Sequence, residues 1–332
     1  MKKNKVVCIG EALIDRINNF SNQGFTDFLG GAPANVACAL RKLKIDSIFI
    51  GCLGNDDFGK KFIKQFNALK VNLNFLQIDN GSSTRVVNVG RDKFGDRFFS
   101  GFESSNHLRF ADETISKKLI EKELPNLEEI LLETKYLVMG TILLSSPISA
   151  ETLFFILEHA NKFEVKTIID VNWREVFWDY SSFSSEISKK ERVKLIKKFL
   201  NHAQVLKLAK EEASLFFENQ NPSLISQKLS KRPDVIITDG KNPVEWYING
   251  LQGTTEVPHN PEIVDTTGAG DAFLAGLISK FISFGYPTNE QNIEVCVKFA
   301  CVCGLLTCLG EGAIEQQPDY EKVNKFLGSL IS

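Results

Sequence analysis

The sequence lacks four things that would each have pointed to a class of protein: a long apolar run, an excess of basic charge, a paired-cysteine motif and a linker long enough to divide it. With no apolar stretch of about 18 residues, nothing in it reads as a bilayer-spanning helix. Met1-Lys2-Lys3-Asn4-Lys5 leads into only a brief apolar stretch, too little for a signal peptide. Lys and Arg number 39 against 41 Asp and Glu, a net charge of −2, which argues against a general nucleic-acid or membrane-surface binder. A small anionic ligand would then need positive groups placed locally. The 7 cysteines, at 8, 38, 52, 296, 301, 303 and 308, contain no CxxC pair and fall mostly in apolar runs. They read as reduced core thiols of a cytoplasmic protein rather than as disulfide or zinc partners, so the Asn80-Gly81-Ser82 sequon carries no weight. What is present is ordinary for a globular protein: 332 residues, 43% apolar and 24% charged, with no internal repeat or low-complexity tract.

Short apolar runs at 6–10, 47–51, 136–140, 166–170, 204–208 and 234–238 alternate with helix-period stretches such as 150–162 and 189–200. Runs of that length predict buried parallel strands, and the alternation predicts a doubly wound α/β sheet flanked by helices. Residues 84–102 break the series, because they read as a hairpin with one polar and one apolar face and a turn at 92–95. Together with parts of 12–28 as partner strands, the hairpin predicts a small β lid, about 12–28 and 84–103, on a single domain spanning 1–332. Such a lid would keep water from the site. A second hairpin is expected around the Asn249-Gly250 turn.

The most informative stretch is Asp265-Thr266-Thr267-Gly268-Ala269-Gly270-Asp271, which runs into the apolar segment 272–284. Two glycines one residue apart let main-chain N–H groups converge on an anion, and the helix that follows adds its free amides and the positive end of its dipole. Asp271 is badly placed merely to accompany phosphate, since like charges repel at short range. It is well placed to take a proton from a hydroxyl being phosphorylated while the amides hold the transferring group. The plainer reading is an N-cap aspartate after a flexible turn. Gly30-Gly31-Ala32-Pro33-Ala34-Asn35 similarly opens a helix with Pro33 in its first turn, and Asn35 can both donate to and accept from a hydroxyl. Asp15 and Arg174 lie just beyond strand ends, where open α/β sheets bind ligands, although each is also readable as a solvated surface charge. Gly54-Asn55-Asp56-Asp57-Phe58-Gly59-Lys60-Lys61 nearly matches a phosphate-binding loop, but Lys61 stands where Ser or Thr is required and two aspartates would oppose phosphate.

Taken together, DTTGAGD before an Ala- and Phe-rich helix, GGAPAN, and the run Asp170-Val171-Asn172-Trp173-Arg174-Glu175 resemble the signatures of the PfkB/ribokinase family of carbohydrate kinases, most closely its fructokinases. The resemblance runs from about residue 6 to 327. It implies a ribokinase-like fold and ATP-dependent transfer of a phosphoryl group to a primary hydroxyl of a small sugar. By the same resemblance Asp271 is the base, and Gly268, Ala269 and Gly270 form the anion hole. Asp15, Gly30, Gly31, Asn35 and Arg174 grip the sugar, with Phe102 of the lid against it. Lys207, Thr238, Gly240, Gly268 and Gly270 face the nucleotide, and the helix over 295–306 flanks the adenine. Glu212 supports Mg2+ through water, and carbonyls of Asp265 and Thr267, with Gly310-Glu311-Gly312-Ala313, enclose K+ in some relatives. The chain departs from the pattern at Val171 for proline, at Pro243 for a second glycine, and at Ala209, where a polar group normally helps Glu212 arrange the metal's water. D-fructose is the expected substrate. 2-Keto-3-deoxygluconate is the alternative, its carboxylate requiring a cation such as Arg91, Arg97, Arg109 or Arg174; ribose and adenosine follow. The Ala209 departure also motivates a non-enzymatic reading, a kinase-like binding or regulatory protein. A helix N-terminus should lower the pKa of Asp271. An exposed apolar lid face would pair with a second copy, giving a homodimer.

Overall fold

The computed structural model describes residues 3–19, 24–91, 97–102, 109–179, 188–260 and 262–330. Its thirteen strands are β1 Lys5–Ile9, β2 Leu13–Asn19, β3 Gly24–Gly30, β4 Ser47–Gly54, β5 Asn72–Asp79, β6 Val86–Arg91, β7 Arg97–Phe102, β8 Thr134–Met139, β9 Lys166–Asp170, β10 Val205–Ala209, β11 Asp234–Asp239, β12 Asn242–Ile248 and β13 Leu251–Thr255. Nine form one sheet in the order β13-β12-β11-β10-β9-β8-β1-β4-β5, parallel from β5 to β11 and closed at the other edge by the antiparallel β12–β13 hairpin. The expected doubly wound, mostly parallel sheet is what forms. The reason is visible in β1, where Val6 and Cys8 enter one apolar cluster and Val7 and Ile9 the other. Both faces of the sheet are buried under helices, so the strand must be apolar on both sides. The β12–β13 turn is made by Asn249 and Gly250, both at positive φ (52° and 81°), as a twisted two-residue hairpin demands.

The remaining four strands make a separate sheet in the order β3-β2-β6-β7, with β2 parallel to β6 and antiparallel to β3, and β6 antiparallel to β7. The expected lid is therefore present as a sheet built from the two predicted segments. The turn at 92–95 lies outside the described residues, as does residue 103.

The lid is rooted by Arg85, just before β6. Its backbone carbonyl accepts from Ile14 N at 2.8 Å, while its buried guanidinium donates from Nε to Asp112 (2.9 Å) and from Nη2 to Glu113 (2.9 Å). Three rings surround the same group, with centroids at 4.3 Å for Phe110, 5.0 Å for Phe177 and 5.1 Å for Phe102. A cation so enclosed is tolerated only because two carboxylates and three ring faces replace its water.

The seven cysteines are all buried and unpaired, as expected. The near-match to a phosphate loop is a helix start: Asp56 caps the Asp57–Leu69 helix by accepting from Gly59 N (2.7 Å), and its other oxygen accepts from Thr84 N (2.7 Å). Among the described residues, no helix is long and apolar enough to cross a membrane.

Removing the Arg85 side chain would strand two buried carboxylates. R85A is expected to lower unfolding free energy by about 3–5 kcal/mol in urea melts, and a loss below about 1 kcal/mol would contradict the anchoring role.

Candidate active site

The switch point of the large sheet lies beside β1, where the chain builds outward to β4 and β5 on one side and later to β8 through β11 on the other. Open parallel sheets leave a crevice at the carboxyl ends of strands at such a point. Here it is a cleft of about 390 Å³ whose walls come from the ends of β1 (Glu11), β9 (Asp170, Asn172, Arg174), β10 (Lys207, Ala209) and β11 (Thr238), closed by the Asp271 turn. A second cavity of about 610 Å³ adjoins it and is mainly apolar, with Val244, Val257, Phe273, Cys301 and Leu305 among its walls. Thr238, Thr266 and Gly270 belong to both, so the two spaces meet at the predicted anion cradle.

The turn into the helix is built on glycine. Gly268, at φ 75°, is the N-cap of the Ala269–Ser283 helix, and a Cβ there would stand 2.6 Å from Cβ of Ala313. Only glycine meets both demands, the left-handed φ and the close approach. Asp271 sits in the first turn of this helix, facing the cleft, and accepts from Nδ2 of Asn35 at 2.8 Å.

The expected low pKa is overturned. Burial pushes the Asp271 carboxyl up to about 6, the Asp170 charge adding to it, against the Asn35 hydrogen bond and the positive charges of Lys207 and Arg174. The helix terminus favours the carboxylate, but loss of water and a like charge prevail.

Asp15, Gly31 and Asn35 also line the cleft. Gly31 has φ 98°, and a Cβ would meet the Glu11 carbonyl oxygen at 2.6 Å. Gly30 serves differently: it is not a wall of the cleft, and leaving out its side chain makes room for the Asp15 carboxylate, which a Cβ would approach at 2.4 Å. Glu11, which sequence reasoning passed over, lines the cleft and accepts from Ala32 N at 2.9 Å, capping the Ala32–Lys42 helix from another element. Burial pushes its carboxyl up to about 8, so it is mainly protonated at neutral pH. Its only sequence signal was its place after the first strand.

Beneath the cradle, Lys207 donates from Nζ to both oxygens of Asp170, at 3.0 and 2.9 Å, and lies 3.3 Å from where a Gly270 Cβ would be. Burial alone would pull this ammonium down, but Asp170 and Glu212 hold its pKa above the ordinary lysine value. The Glu212 carboxylate accepts from Trp173 N (2.6 Å) and from Ala209 N (2.7 Å), and burial pushes its pKa up. Thr238 and Thr267 line the cleft, while Gly240 and Ala269 border only the apolar cavity. Asp265 is not a cleft residue. Its carboxylate accepts from Thr267 N (3.0 Å), Thr267 Oγ1 (2.8 Å) and Gly312 N (3.0 Å), joining the cradle to the loop that follows residue 309. Phe102 also stands back from the cleft, edge-on to Phe177 with centroids 5.2 Å apart, and it is Phe177 that reaches the cleft wall.

A buried carboxyl beside a glycine turn and a polar cleft, with an apolar cavity adjoining, fit a phosphoryl-transfer site. The model of the pfkB family carbohydrate kinases matches residues 3–319. The chain belongs to that family. Among curated relatives, it is 28% identical to probable fructokinase-7 of Arabidopsis thaliana, covering 98% of this chain and 93% of that one. It is likewise 28% identical to the fructokinase of Salmonella typhimurium, at 97% and 98% coverage. Among solved structures, the ATP-bound fructokinase of Xylella fastidiosa superposes with a TM-score of 0.86 at 23% identity, covering 99% of this chain and 100% of that one, a likeness of fold.

The raised pKa of Asp271 has a definite sign. A carboxyl whose folded pKa lies above its unfolded value adds stability below the unfolded value and loses it as pH rises through the folded one. D271N is therefore expected to melt at a higher temperature than the parent at pH 7–8, with the gap closing towards pH 4. A gap that stays constant over this range would contradict the buried-carboxylate account.

Proposed function

We propose that this carbohydrate kinase phosphorylates D-fructose, moving the γ-phosphoryl group of ATP onto a primary hydroxyl to give fructose 6-phosphate. The observation that carries the proposal is the position of Asp271, whose carboxylate faces the polar cleft from the first turn of the helix that forms the cradle. In this reading the sugar occupies the cleft against Asp15, Gly31 and Asn35, with Arg174 at its wall. The adenine takes the apolar cavity, and the phosphates cross the seam at Gly268–Gly270. The hydroxyl oxygen attacks the γ-phosphorus, its bond to phosphorus forms as the bond to the ADP oxygen breaks, and its proton passes to Asp271. Main-chain amides and Lys207 oppose the charge on the transferring group. A pKa near 6 suits the role better than that of an exposed aspartate, since the group is ionised at neutral pH yet a stronger base.

Mg2+ keeps most of its water and is met by one or two carboxylates, and when bound to ATP it would offset phosphate charge. Glu212 fits as an acceptor for such water, because each of its oxygens spends one lone pair on an amide and keeps another. Ala209 contributes only its N–H, so this chain holds the hydrated ion with one polar side chain fewer than the family pattern. K+ belongs to the same proposal, near the loops that Asp265 ties together, and replacing K+ by a bulky organic cation tests it. Pairing of lids between two copies would use the outer face of β3, where Phe25 is exposed, and sedimentation reads it.

Fructose is preferred to an acidic sugar on charge. The cleft carries the carboxyl groups of Asp15, Asp170, Glu212 and Asp271, beside the mainly neutral Glu11, against the cations Lys207 and Arg174, and Lys207 is already bound to Asp170. Of the other arginines considered, Arg109 is exposed away from the cleft walls, and the side chains of Arg91 and Arg97 lie outside the described residues. The curated relatives quoted above are also named fructokinases.

The test is an ADP-release assay on purified protein with ATP and fructose, 2-keto-3-deoxygluconate, ribose or adenosine. The highest kcat/KM is expected with fructose. Preference for another sugar would overturn the substrate assignment, and absence of sugar-dependent ADP release with any of them would favour the binding-protein alternative.

A further inference from the structure

The carboxamide of Asn35 is shared between two partners that act in one reaction. Asn35 lies in the first turn of the Ala32–Lys42 helix, is 3% exposed and lines the cleft. Its Nδ2 donates to Oδ2 of Asp271 at 2.8 Å across 236 residues of sequence, while its Oδ1 is buried with no hydrogen-bond partner. A buried, unsatisfied amide oxygen costs free energy unless something supplies a donor, and the neighbouring space is the sugar cleft. The backbone of the same residue is held as well, its carbonyl accepting from Nε2 of Gln317 at 2.9 Å and its N–H donating to Gly31 O at 2.8 Å. The side chain thus projects from a fixed point, and the amide orientation follows from the need to present N–H to a carboxylate.

We propose that Asn35, beyond the sugar contact the resemblance implies for it, is a positioning residue for Asp271: its NH2 group fixes the direction of the carboxylate while its carbonyl oxygen faces the sugar. Sugar binding and alignment of the base are then coupled through one rigid amide. Occupation of Oδ1 polarises the amide and strengthens the Nδ2 bond to the carboxylate, so the base is best ordered when an acceptor alcohol is present. The inference deepens the sugar-kinase reading, on which it rests for the identity of the hydroxyl. The contact with Asp271 does not depend on which sugar is used.

The charged groups acting on Asp271 are Asp170 from β9, Arg174 from the loop after it and Lys207 from β10, and the titratable but mainly neutral Glu11 after β1 couples to it as well. Among the described residues, Asn35 is the neutral neighbour with a direct hydrogen bond to it. Its loss should therefore leave the surrounding charges in place and release only that bond.

The experiment titrates the Asp271 carboxyl by NMR in the full-length protein labelled with [4-13C]aspartate, the resonance being assigned by its disappearance in D271N, and compares the parent with N35A. The Asp271 midpoint is expected near 6 in the parent and higher in N35A, with the acid limb of kcat/KM moving in the same direction. On whichever sugar the parent uses best, kcat of N35A should fall by roughly tenfold or more as KM rises. An unchanged midpoint, or a rise in KM alone with kcat and acid limb intact, would reduce Asn35 to a sugar contact and overturn the proposal. N35L, close in size but without the donor, and an amide spectrum of each variant with the parent's dispersion separate this from misfolding: a midpoint raised in N35L as in N35A supports the proposal, and a parent-like midpoint in N35L contradicts it. Because the titration needs no substrate, a wrong sugar assignment leaves its outcome intact.

Discussion

Several carboxyl groups share one cleft with few cations. In the proposed reading a nucleotide would bring phosphates to a place already holding Asp170, Glu212 and Asp271, and at a few ångströms such charges repel strongly once water is excluded. The arrangement of the whole site answers that repulsion. Main-chain amides at the start of the Ala269–Ser283 helix require Gly268 in a conformation that other residues adopt only under strain. Lys207 supplies a full charge below them, and the carboxylate of Asp170 keeps it protonated despite burial. Even the glycine at 270 is consistent with this, since a side chain there would crowd the lysine ammonium. The parallel sheet makes this possible within one chain: residues 11, 170, 207, 238 and 271 meet because each lies at or near a strand's carboxyl end or a helix start on one rim.

Most of the fold could be read from the chain because its signals were local. Strands buried on both faces must be continuous apolar runs, so six of them stood out, with edges displaced by a residue or a few. β5 did not stand out, since Asn72, Asn74 and Gln77 break its apolar run on an outer strand of the sheet. The lid was legible for a different reason: a hairpin with one apolar face needs a partner, and 12–28 was the segment near enough to supply it. The glycine turn before the Ala269–Ser283 helix was legible because a short main-chain motif determines it.

What was not legible depended on residues far apart in sequence. The pKa of Asp271 was misjudged because a helix terminus is visible in the local sequence, whereas burial and the charge of Asp170 are properties of the folded chain. Phe102 was assigned to the ligand because the lid is aromatic, but it is packed behind Phe177 and against Arg85, whose need for ring faces no spacing rule reveals. Glu11 escaped notice for the same reason. A glutamate after a strand is unremarkable until the helix start of residue 32 is brought against it.

The two sides of the seam differ in kind, and that difference supports the direction of the chemistry. The polar side is crowded with carboxyl and amide groups suited to a polyol, while the other is a larger, mostly apolar cavity suited to a flat heterocycle. The account as a whole stands on the hydroxyl acceptor and the transferring group meeting at Asp271. A crystal structure of the protein with fructose, ADP and a planar phosphoryl mimic such as aluminium fluoride tests this directly. The account predicts a sugar oxygen about 3 Å from the Asp271 carboxylate and in line with the mimic, which rests on the amides of residues 268–270. A mimic bound away from those amides, or a sugar whose hydroxyls all point away from Asp271, would contradict it.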